Sequence, residues 1–232
     1  MTLEEYRKTE EKRLEINIKH MERGVHFADI NTEYIDESVT IGEGTFIGPC
    51  VTLEGKTQIG TECVILQNTR IVDSVIADRV EIQSSVIVES SVGEGTKVGP
   101  FAYMRPGSRV GKNCKVGDFV EIKNSTFGDG SKASHLTYIG DSDVGCDVNL
   151  GCGVVFVNYD GTNKYRSTVG DGAFIGCNSN LVSPVKVGKG AYIAAGSTVT
   201  EDVEGDALYI ARAKGTKKAG WVSAKGILKK KK

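Results

Sequence analysis

The chain has 232 residues and a formal net charge of −1 at pH 7, with 39% hydrophobic and 25% charged residues. This near-neutral balance gives no reason to expect nucleic acid or a membrane surface as a partner. No apolar stretch approaches transmembrane length, and the first 22 residues are charged rather than apolar, so the sequence predicts a cytoplasmic protein without a signal peptide.

The first predicted element is an N-terminal helix. Thr2 and Glu5 match a capping box, helix-forming residues continue to about Glu22, and Gly24 is a suitable stop. Three apolar side chains fall on one face of this helix: Leu14, Ile18 and Met21. We assign residues 1–24 to a helix that either caps the following domain or belongs to a linker from an upstream domain.

A six-residue repeat governs the next part of the chain. Aliphatic residues recur every six positions from Ile35 to Ile71, from Val92 to Ile122 and from Val169 to Val199, with five-residue steps in between. We call the 28 recurring apolar positions anchors. Gly directly follows 14 of these 28 anchors, although it makes up only 29 of the 232 residues. Hexapeptide periodicity with glycine at the turns is typical of a parallel β-helix.

The repeat also predicts the dimensions of this helix. Three six-residue units close a triangular coil of about 18 residues, and coils stack at the strand spacing of about 4.8 Å. The 28 anchors therefore predict about nine coils in an all-β domain over residues 25–205. A single coil cannot bury its own core, so the domain is stable only as a stack.

One insertion and one tail depart from the repeat. The step from Phe156 to Val169 is 13 residues long, which predicts a loop insertion at 158–168. Loops on a rigid frame commonly carry function. Residues 206–232 are predicted to be a basic arm with a short strand or extended segment, ending in a disordered tail at Lys229–Lys232.

The same spacing places two cations on neighbouring coils. Met104 and Ile122 are 18 residues apart, which is one coil, so Arg105 and Lys123 should stack about 5 Å apart on one face. Two cations this close repel each other unless an anion lies between them, and a phosphate suits both side chains. The alternative is a pair of solvated surface cations.

His135 is the only histidine inside the repeat, because His20 and His26 precede it. Close in sequence to Lys123, it is a candidate general base, with a hydrogen-bonded structural role as the alternative. A histidine zinc site would need three histidines, and the six cysteines form no C-x-x-C pair, so the sequence predicts no metal site. We expect these cysteines to be free, mostly buried thiols.

Several motifs resemble a single known family. They are Arg105-Pro-Gly, Glu121-Ile-Lys123, Ala133-Ser-His135-Leu-Thr-Tyr138-Ile-Gly-Asp141, Asp147-Val-Asn149, Asn158-Tyr159-Asp-Gly-Thr-Asn-Lys164, and the C-terminal run from Asp206 through Arg212 and Lys218 to Trp221. Together they resemble the acetyltransferase half of the bacterial bifunctional enzymes that make UDP-N-acetylglucosamine, a hexapeptide-repeat acyltransferase family.

This resemblance implies a fold, an assembly and a reaction. The fold is a left-handed parallel β-helix, and the assembly is a homotrimer that binds acetyl-CoA between neighbouring subunits. The reaction moves the acetyl group to the amine of glucosamine-1-phosphate, giving N-acetylglucosamine-1-phosphate for UDP-N-acetylglucosamine and cell-wall synthesis. No metal is required for the acetyl transfer.

The resemblance also implies roles for individual residues. His135 would be the general base, polarised by Glu121. The sugar phosphate would contact Arg105, Lys123, Tyr138 and Asn149. Acetyl-CoA would contact Cys152, Asn158, Tyr159, Lys164, Cys177, Ala195, Arg212 and Lys218.

The chain departs from the family pattern in three respects. Cys152 stands where Ala is common in Gly-Ala-Gly, and Cys177 stands where Ser commonly follows Ile-Gly. The Gly-rich nucleotide loop of the uridylyltransferase half has no counterpart, so we do not expect this chain to form a UDP-sugar. Two alternatives remain open: a same-fold acetyltransferase for another amino sugar or amine, and a non-catalytic, CoA-binding trimeric paralogue.

Overall fold

A computed structural model describes residues 1–227, which form a three-sided parallel β-solenoid preceded by a helix. The strands are two to four residues long and belong to three sheets, with eleven strands in sheet A, ten in sheet B and nine in sheet C. The helices are α1, Leu3–Glu22, and the short α2, Trp221–Ala224. The predicted disorder at Lys229–Lys232 lies outside the described residues.

The three sheets take their strands in rotation along the chain. Sheet A contains His26–Phe27, Phe46–Ile47, Val64–Ile65, Glu81–Ile82, Lys97–Val98, Lys115–Asp118, Lys132–His135, Asn149–Leu150, Phe174–Ile175, Tyr192–Ile193 and Leu208–Tyr209. Sheet B contains Tyr34–Ile35, Thr52–Glu54, Arg70–Val72, Val86–Val88, Tyr103–Met104, Glu121–Lys123, Tyr138–Gly140, Val155–Val157, Asn180–Val182 and Thr198–Val199. Sheet C contains Thr40–Ile41, Gln58–Ile59, Val75–Ile76, Ser91–Val92, Arg109–Val110, Thr126–Phe127, Ser142–Val144, Ser167–Val169 and Lys186–Val187.

The predicted anchors form the core of the solenoid. All 28 are buried, and within each sheet an anchor pairs with the anchor of the next coil, as Met104 does with Ile122. The all-β, coiled fold class predicted from the repeat is therefore confirmed. The structure has about ten coils rather than nine, because His26–Phe27 and Leu208–Tyr209 add strands to sheet A beyond both ends of the repeat.

Glycine after an anchor allows the coils to approach closely at the corners. A Cβ added to Gly151 would lie only 2.6 Å from the backbone nitrogen and 3.0 Å from the Sγ atom of Cys177 in the next coil. Because real Cβ atoms do not make such contacts, a larger residue here would push two coils apart.

Helix α1 begins as predicted but packs differently. The Thr2–Glu5 capping box is present, with reciprocal hydrogen bonds between the two residues. The three apolar residues Leu14, Ile18 and Met21 do not form its packing face, because Ile18 and Met21 are exposed and Leu14 is only partly buried. The helix instead buries polar residues: Arg13 and Asn17 donate to the carbonyl oxygen of Glu33 in the first coil, at 2.9 and 3.3 Å.

The cysteines are less buried than we expected. Cys63 and Cys114 are buried, and burial raises the pKa of both thiols. Three others are exposed and Cys152 is half-buried, because these four occupy corner positions where side chains point outward: Cys50, Cys146, Cys152 and Cys177. All six are free thiols. Within residues 1–227, no helix is long and apolar enough to cross a bilayer.

Candidate functional site

Sheet B carries the predicted cation pair. Arg105 and Lys123 each follow an anchor, and the backbone N–H of Arg105 donates to the carbonyl oxygen of Ile122, which places the two on adjacent coils as the spacing predicts. Each cation has a carboxylate partner of its own. Arg105 donates to Glu121 at 2.9 Å, and Lys123 lies 3.0 Å from Asp141.

These ion pairs make an anion unnecessary for holding the two cations close together. The sequence predicts that Arg105 and Lys123 repel each other unless an anion lies between them, whereas the structure relieves that repulsion with two carboxylates. Glu121 and Arg105 are about two-fifths exposed, so their pairing is weak and readily exchanged. The more buried Lys123–Asp141 pair, with side chains 17% and 10% exposed, is the fixed one.

Tyr138 completes this face. It pairs in register with Glu121, and its ring folds across Gly140, where a Cβ atom would collide with the phenol. Gly140 lies opposite Lys123 in the ladder, so the phenol lies beside the two cations. The result is a shallow polar surface that combines a guanidinium, an ammonium and a phenol.

His135 lies at the corner between sheets A and B, at the end of strand Lys132–His135. Its Nδ1 atom is 2.5 Å from the Asp118 carboxylate, which stands opposite it in the neighbouring coil. The hydrogen bond to His135 lowers the pKa of Asp118, so the carboxylate is the acceptor for Nδ1–H. Glu121, which the resemblance assigns to polarising His135, pairs with Arg105 instead, because it lies on the outer face of sheet B.

Three residues predicted to contact acetyl-CoA continue the same corner towards the C-terminal coils. Cys152, Cys177 and Ala195 each lie two positions after a sheet A anchor, as His135 does. Backbone hydrogen bonds of 2.8 Å link their coils, from Asn178 N–H to Cys152 and from Gly196 N–H to Cys177. Arg212 folds back to donate to the Ala195 carbonyl at 2.5 Å.

The loop insertion forms a small hairpin next to sheet B. Tyr159 and Lys164 pair across it, and the Asp160 carboxylate accepts from the backbone N–H groups of Thr162 and Asn163 at 2.8 and 2.6 Å. Asn158 at its base is buried and donates to Asp141. Tyr159 and Lys164 are exposed on the hairpin, and Lys164 approaches Lys123.

Two predicted site residues stand apart within one chain. Asn149 faces outward from sheet A, where it pairs with Lys132 and Phe174, and therefore lies on a different side of the prism from Lys123. Lys218 is exposed in the C-terminal arm, after the last strand. The structure therefore groups the predicted residues into a sheet B face, an A–B corner and the hairpin, with Asn149 on sheet A.

The sequence assigned no role to three residues that order this region: Asp118, Asp141 and Arg166. Asp118 precedes His135 by 17 residues, which is one coil containing a five-residue step, so the repeat could have placed the two together. Arg166 donates from Nε and Nη2 to the Asp143 carboxylate at 2.6 and 2.5 Å, and this ion pair fixes the end of the insertion. No sequence signal marks that pairing, because the insertion breaks the repeat.

Within residues 1–227, no cluster of three His, Cys, Asp or Glu side chains is arranged to hold a metal ion. Titratable groups are instead paired one with another across neighbouring coils, as His135 is with Asp118.

Comparisons with known proteins match this architecture. Residues 89–124 and 166–201 match the model of the bacterial transferase hexapeptide (six repeats). The structures of UDP-N-acetylglucosamine acyltransferases from Bacteroides fragilis and Francisella novicida share the fold. Their TM-scores are 0.58 and 0.56 at 18% and 20% identity, covering 77% and 81% of this chain and 68% and 66% of theirs.

Relatives found by sequence have a much higher identity to this chain than these structures do. The bifunctional protein GlmU of Clostridium beijerinckii is 56% identical over 214 residues, which are 92% of this chain and 47% of that protein. Clostridioides difficile GlmU is 56% identical over 213 residues, covering 92% and 46%. The resemblance predicted from the motifs is confirmed: this chain is a hexapeptide-repeat protein related to the bifunctional GlmU proteins, of whose length it spans about half.

Proposed function

We propose that the protein transfers the acetyl group of acetyl-CoA to the 2-amino group of glucosamine-1-phosphate. The observation that carries this proposal is the His135–Asp118 pair at the head of a corner of small side chains, next to a face that presents Arg105 and Lys123. The relationship to GlmU proteins supports the same chemistry.

The sheet B face suits the sugar phosphate. Phosphate oxygens accept bidentate hydrogen bonds from a guanidinium and a point-charge contact from an ammonium. Because the Arg105–Glu121 pair is exposed, Arg105 can exchange its carboxylate for a phosphate at little cost. Tyr138 supplies a phenol hydroxyl beside the same two cations.

His135 suits the role of general base. With Nδ1–H donated to Asp118, the lone pair of Nε2 is free to accept a proton. The sugar amine attacks the thioester carbonyl carbon, and Nε2 takes the proton that the amine loses as the C–N bond forms. The tetrahedral intermediate then collapses, the C–S bond breaks, and the imidazolium returns its proton to the departing thiolate. No covalent enzyme intermediate is needed.

Acetyl-CoA suits the A–B corner. Cys152, Cys177 and Ala195 present small side chains in a continuous column that starts at His135, so a thioester along it would lie beside the base. Exposed cations flank the column, with Lys164 on the hairpin and Arg212 at the C-terminal end, and they suit the phosphates of a nucleotide carrier. A backbone N–H or Asn158 would stabilise the oxyanion.

We also propose a homotrimer in which neighbouring subunits complete each site. Asn149 and Lys123 face different sides of one prism, so a single chain cannot bring both to one sugar phosphate. Phe101, Phe119 and Leu136 form an exposed apolar ridge beside the Asp118–His135 pair, with the two phenyl rings stacked at 5.5 Å. An apolar ridge of this kind is suited to contact with another copy.

The deciding experiment measures release of the CoA thiol. The protein is incubated with acetyl-CoA and glucosamine-1-phosphate, with glucosamine and with UTP as separate controls. We expect thiol release with the sugar phosphate, little with free glucosamine and none with UTP. Faster turnover with a different amine would support the same-fold alternative, and no turnover with any amine would contradict the proposal.

A further inference from the structure

One buried carboxylate connects two parts of the site that the sequence treats separately. Asp141 is 7% exposed and accepts from three side chains. Lys123 Nζ lies 3.0 Å from Oδ2 and 3.3 Å from Oδ1, Asn124 Nδ2 lies 2.6 Å from Oδ1, and Asn158 Nδ2 donates to Oδ2. Lys123 belongs to the sugar-phosphate face, whereas Asn158 begins the hairpin that carries Tyr159 and Lys164.

The backbone of Asp141 is fixed as firmly as its side chain. Its N–H donates to the Lys123 carbonyl at 3.0 Å, and its own carbonyl accepts from Ser167 N–H, at the end of the insertion, at 3.3 Å. Its φ of +48° is in the left-handed region, which aspartate tolerates better than most residues. Asp141 therefore contacts the preceding coil and both ends of the insertion.

The charges around this carboxylate favour its ionised form. Burial acts to raise the pKa of Asp141, but the hydrogen bonds from Asn124, Lys123 and Asn158 outweigh burial and hold the pKa below its usual value. The same carboxylate counteracts the effect of burial on Lys123, so the pKa of that ammonium is raised. Arg166, paired with Asp143, adds a second positive charge nearby.

We propose that Asp141 is a positioning residue. It holds the ammonium of Lys123 at a fixed distance from Asn158, at the base of the hairpin that carries Tyr159 and Lys164. This inference rests on the proposed function for its meaning in catalysis. Every side-chain partner of the Asp141 carboxylate is a donor, and an ionised carboxylate is an acceptor at both oxygens. An asparagine side chain has one acceptor oxygen and one NH2 group. Asp141→Asn therefore places an NH2 group against one of the present donors and removes the negative charge that holds Lys123.

The first test compares Asp141→Asn with Asp143→Asn. Asp143 holds the same insertion by accepting hydrogen bonds from Arg166, but it bonds to neither Lys123 nor Asn158. Asp143→Asn is therefore a matched control for a purely structural effect on the insertion. We expect Asp141→Asn to lower kcat/KM for glucosamine-1-phosphate by about 10²-fold through misplacement of the reacting groups. Asp143→Asn should change it less than about fivefold, since its ion pair is exposed. Equal effects of the two substitutions would overturn the proposal.

A second test needs neither enzyme activity nor a change at Asp141. The side-chain amide of Asn158 is followed by NMR in native protein and in Lys123→Met. If Asp141 couples the two residues, Lys123→Met shifts the Asn158 amide resonance and speeds its hydrogen exchange, because the shared acceptor moves. An unchanged resonance would refute the coupling. Since this measurement works on a protein with no acetyl transfer, it separates failure of the inference from failure of the proposed function.

Discussion

At the scale of single residues, Arg105 and Lys123 differ in how firmly they are held. Arg105 shares an exposed pair with Glu121, whereas Lys123 is held by a buried carboxylate. Exposed ion pairs contribute little to stability, so Arg105 is free to follow an incoming anion. Lys123 instead provides a fixed point charge. A guanidinium that can move, beside an ammonium that is held in place, suits a phosphate that must first bind and then be oriented.

Arg105→Ala should therefore weaken use of the phosphorylated sugar. Loss of a charge-assisted bidentate contact costs about 1.5–3 kcal/mol, which corresponds to about a 10- to 150-fold fall in kcat/KM for glucosamine-1-phosphate. Arg70→Ala is a matched control, because Arg70 also pairs with a glutamate on the outer face of sheet B. Steady-state kinetics of both variants check this prediction, and equal rates of the native protein with free and phosphorylated glucosamine would exclude a phosphate site.

His135→Ala should act on turnover rather than on folding. A general base contributes about 10²- to 10⁴-fold, so we expect kcat to fall within that range while acetyl-CoA affinity changes little. The structural alternative predicts a lower melting temperature with near-native turnover. Measuring kcat and Tm on one preparation of the variant distinguishes the two.

The sequence predicts the coil and face of a residue better than its contacts. The 18-residue step placed Arg105 and Lys123 correctly, because anchors pair in register along a sheet. The same step could not show that Lys123 and Asn158 share Asp141, since this depends on how an irregular insertion returns to the prism. Glu121 was assigned to His135 by resemblance, whereas in this chain Asp118 lies opposite the histidine.

At the scale of elements, the attachment of helix α1 is unusual because it is polar. Arg13 lies over the Tyr34 ring at 5.1 Å, and Asn17 and Arg13 donate to the Glu33 backbone. The Glu33 side chain is fully buried, and its Oε2 atom and Asn17 Oδ1 have no hydrogen-bond partner among the described residues. Apolar periodicity could not predict this docking, because polar groups make the contact.

Glu33→Gln should stabilise the protein in a pH-dependent way. Burial raises the pKa of Glu33, despite hydrogen bonds from Thr32, and the negative charge of Asp29 adds to the rise. The contribution of Glu33 is thus fully present below its unfolded pKa of about 4.3 and is lost as the pH rises through the raised native pKa. Glutamine stays neutral at both pH values, so we expect a gain of about 1–3 kcal/mol at pH 7.5 that shrinks at pH 4.

The measurement is urea unfolding of both proteins at the two pH values and one fixed protein concentration. Glu37→Gln provides the control, because Glu37 is exposed and contacts the same helix through Lys12. A Glu33→Gln protein that is less stable than native at both pH values would show that the buried carboxylate does not destabilise the folded state.

At the scale of the whole molecule, the three-sided prism distributes the candidate site over different surfaces. Arg105, Lys123 and Tyr138 lie on sheet B, His135 lies at the A–B corner, and Asn149 lies on sheet A. The interior of the stacked coils is filled by the anchors, so the candidate residues all lie on the outside of the prism. Two adjoining prisms, however, form a groove between the side of one and the side of the next.

If the site lies in such grooves, two impaired variants should restore each other. Arg105→Ala damages the sheet B side of a site and Asn149→Ala damages the sheet A side. In a cyclic trimer mixed from equal amounts, about a quarter of the sites combine an intact sheet B with an intact neighbouring sheet A. Unfolding and refolding the two variants together should therefore recover about a quarter of native activity. Arg105→Ala mixed with Lys123→Ala, both on sheet B, should recover nothing. Light scattering at assay concentration checks assembly, and either a fully active monomer or mixed trimers without recovery would contradict the shared site.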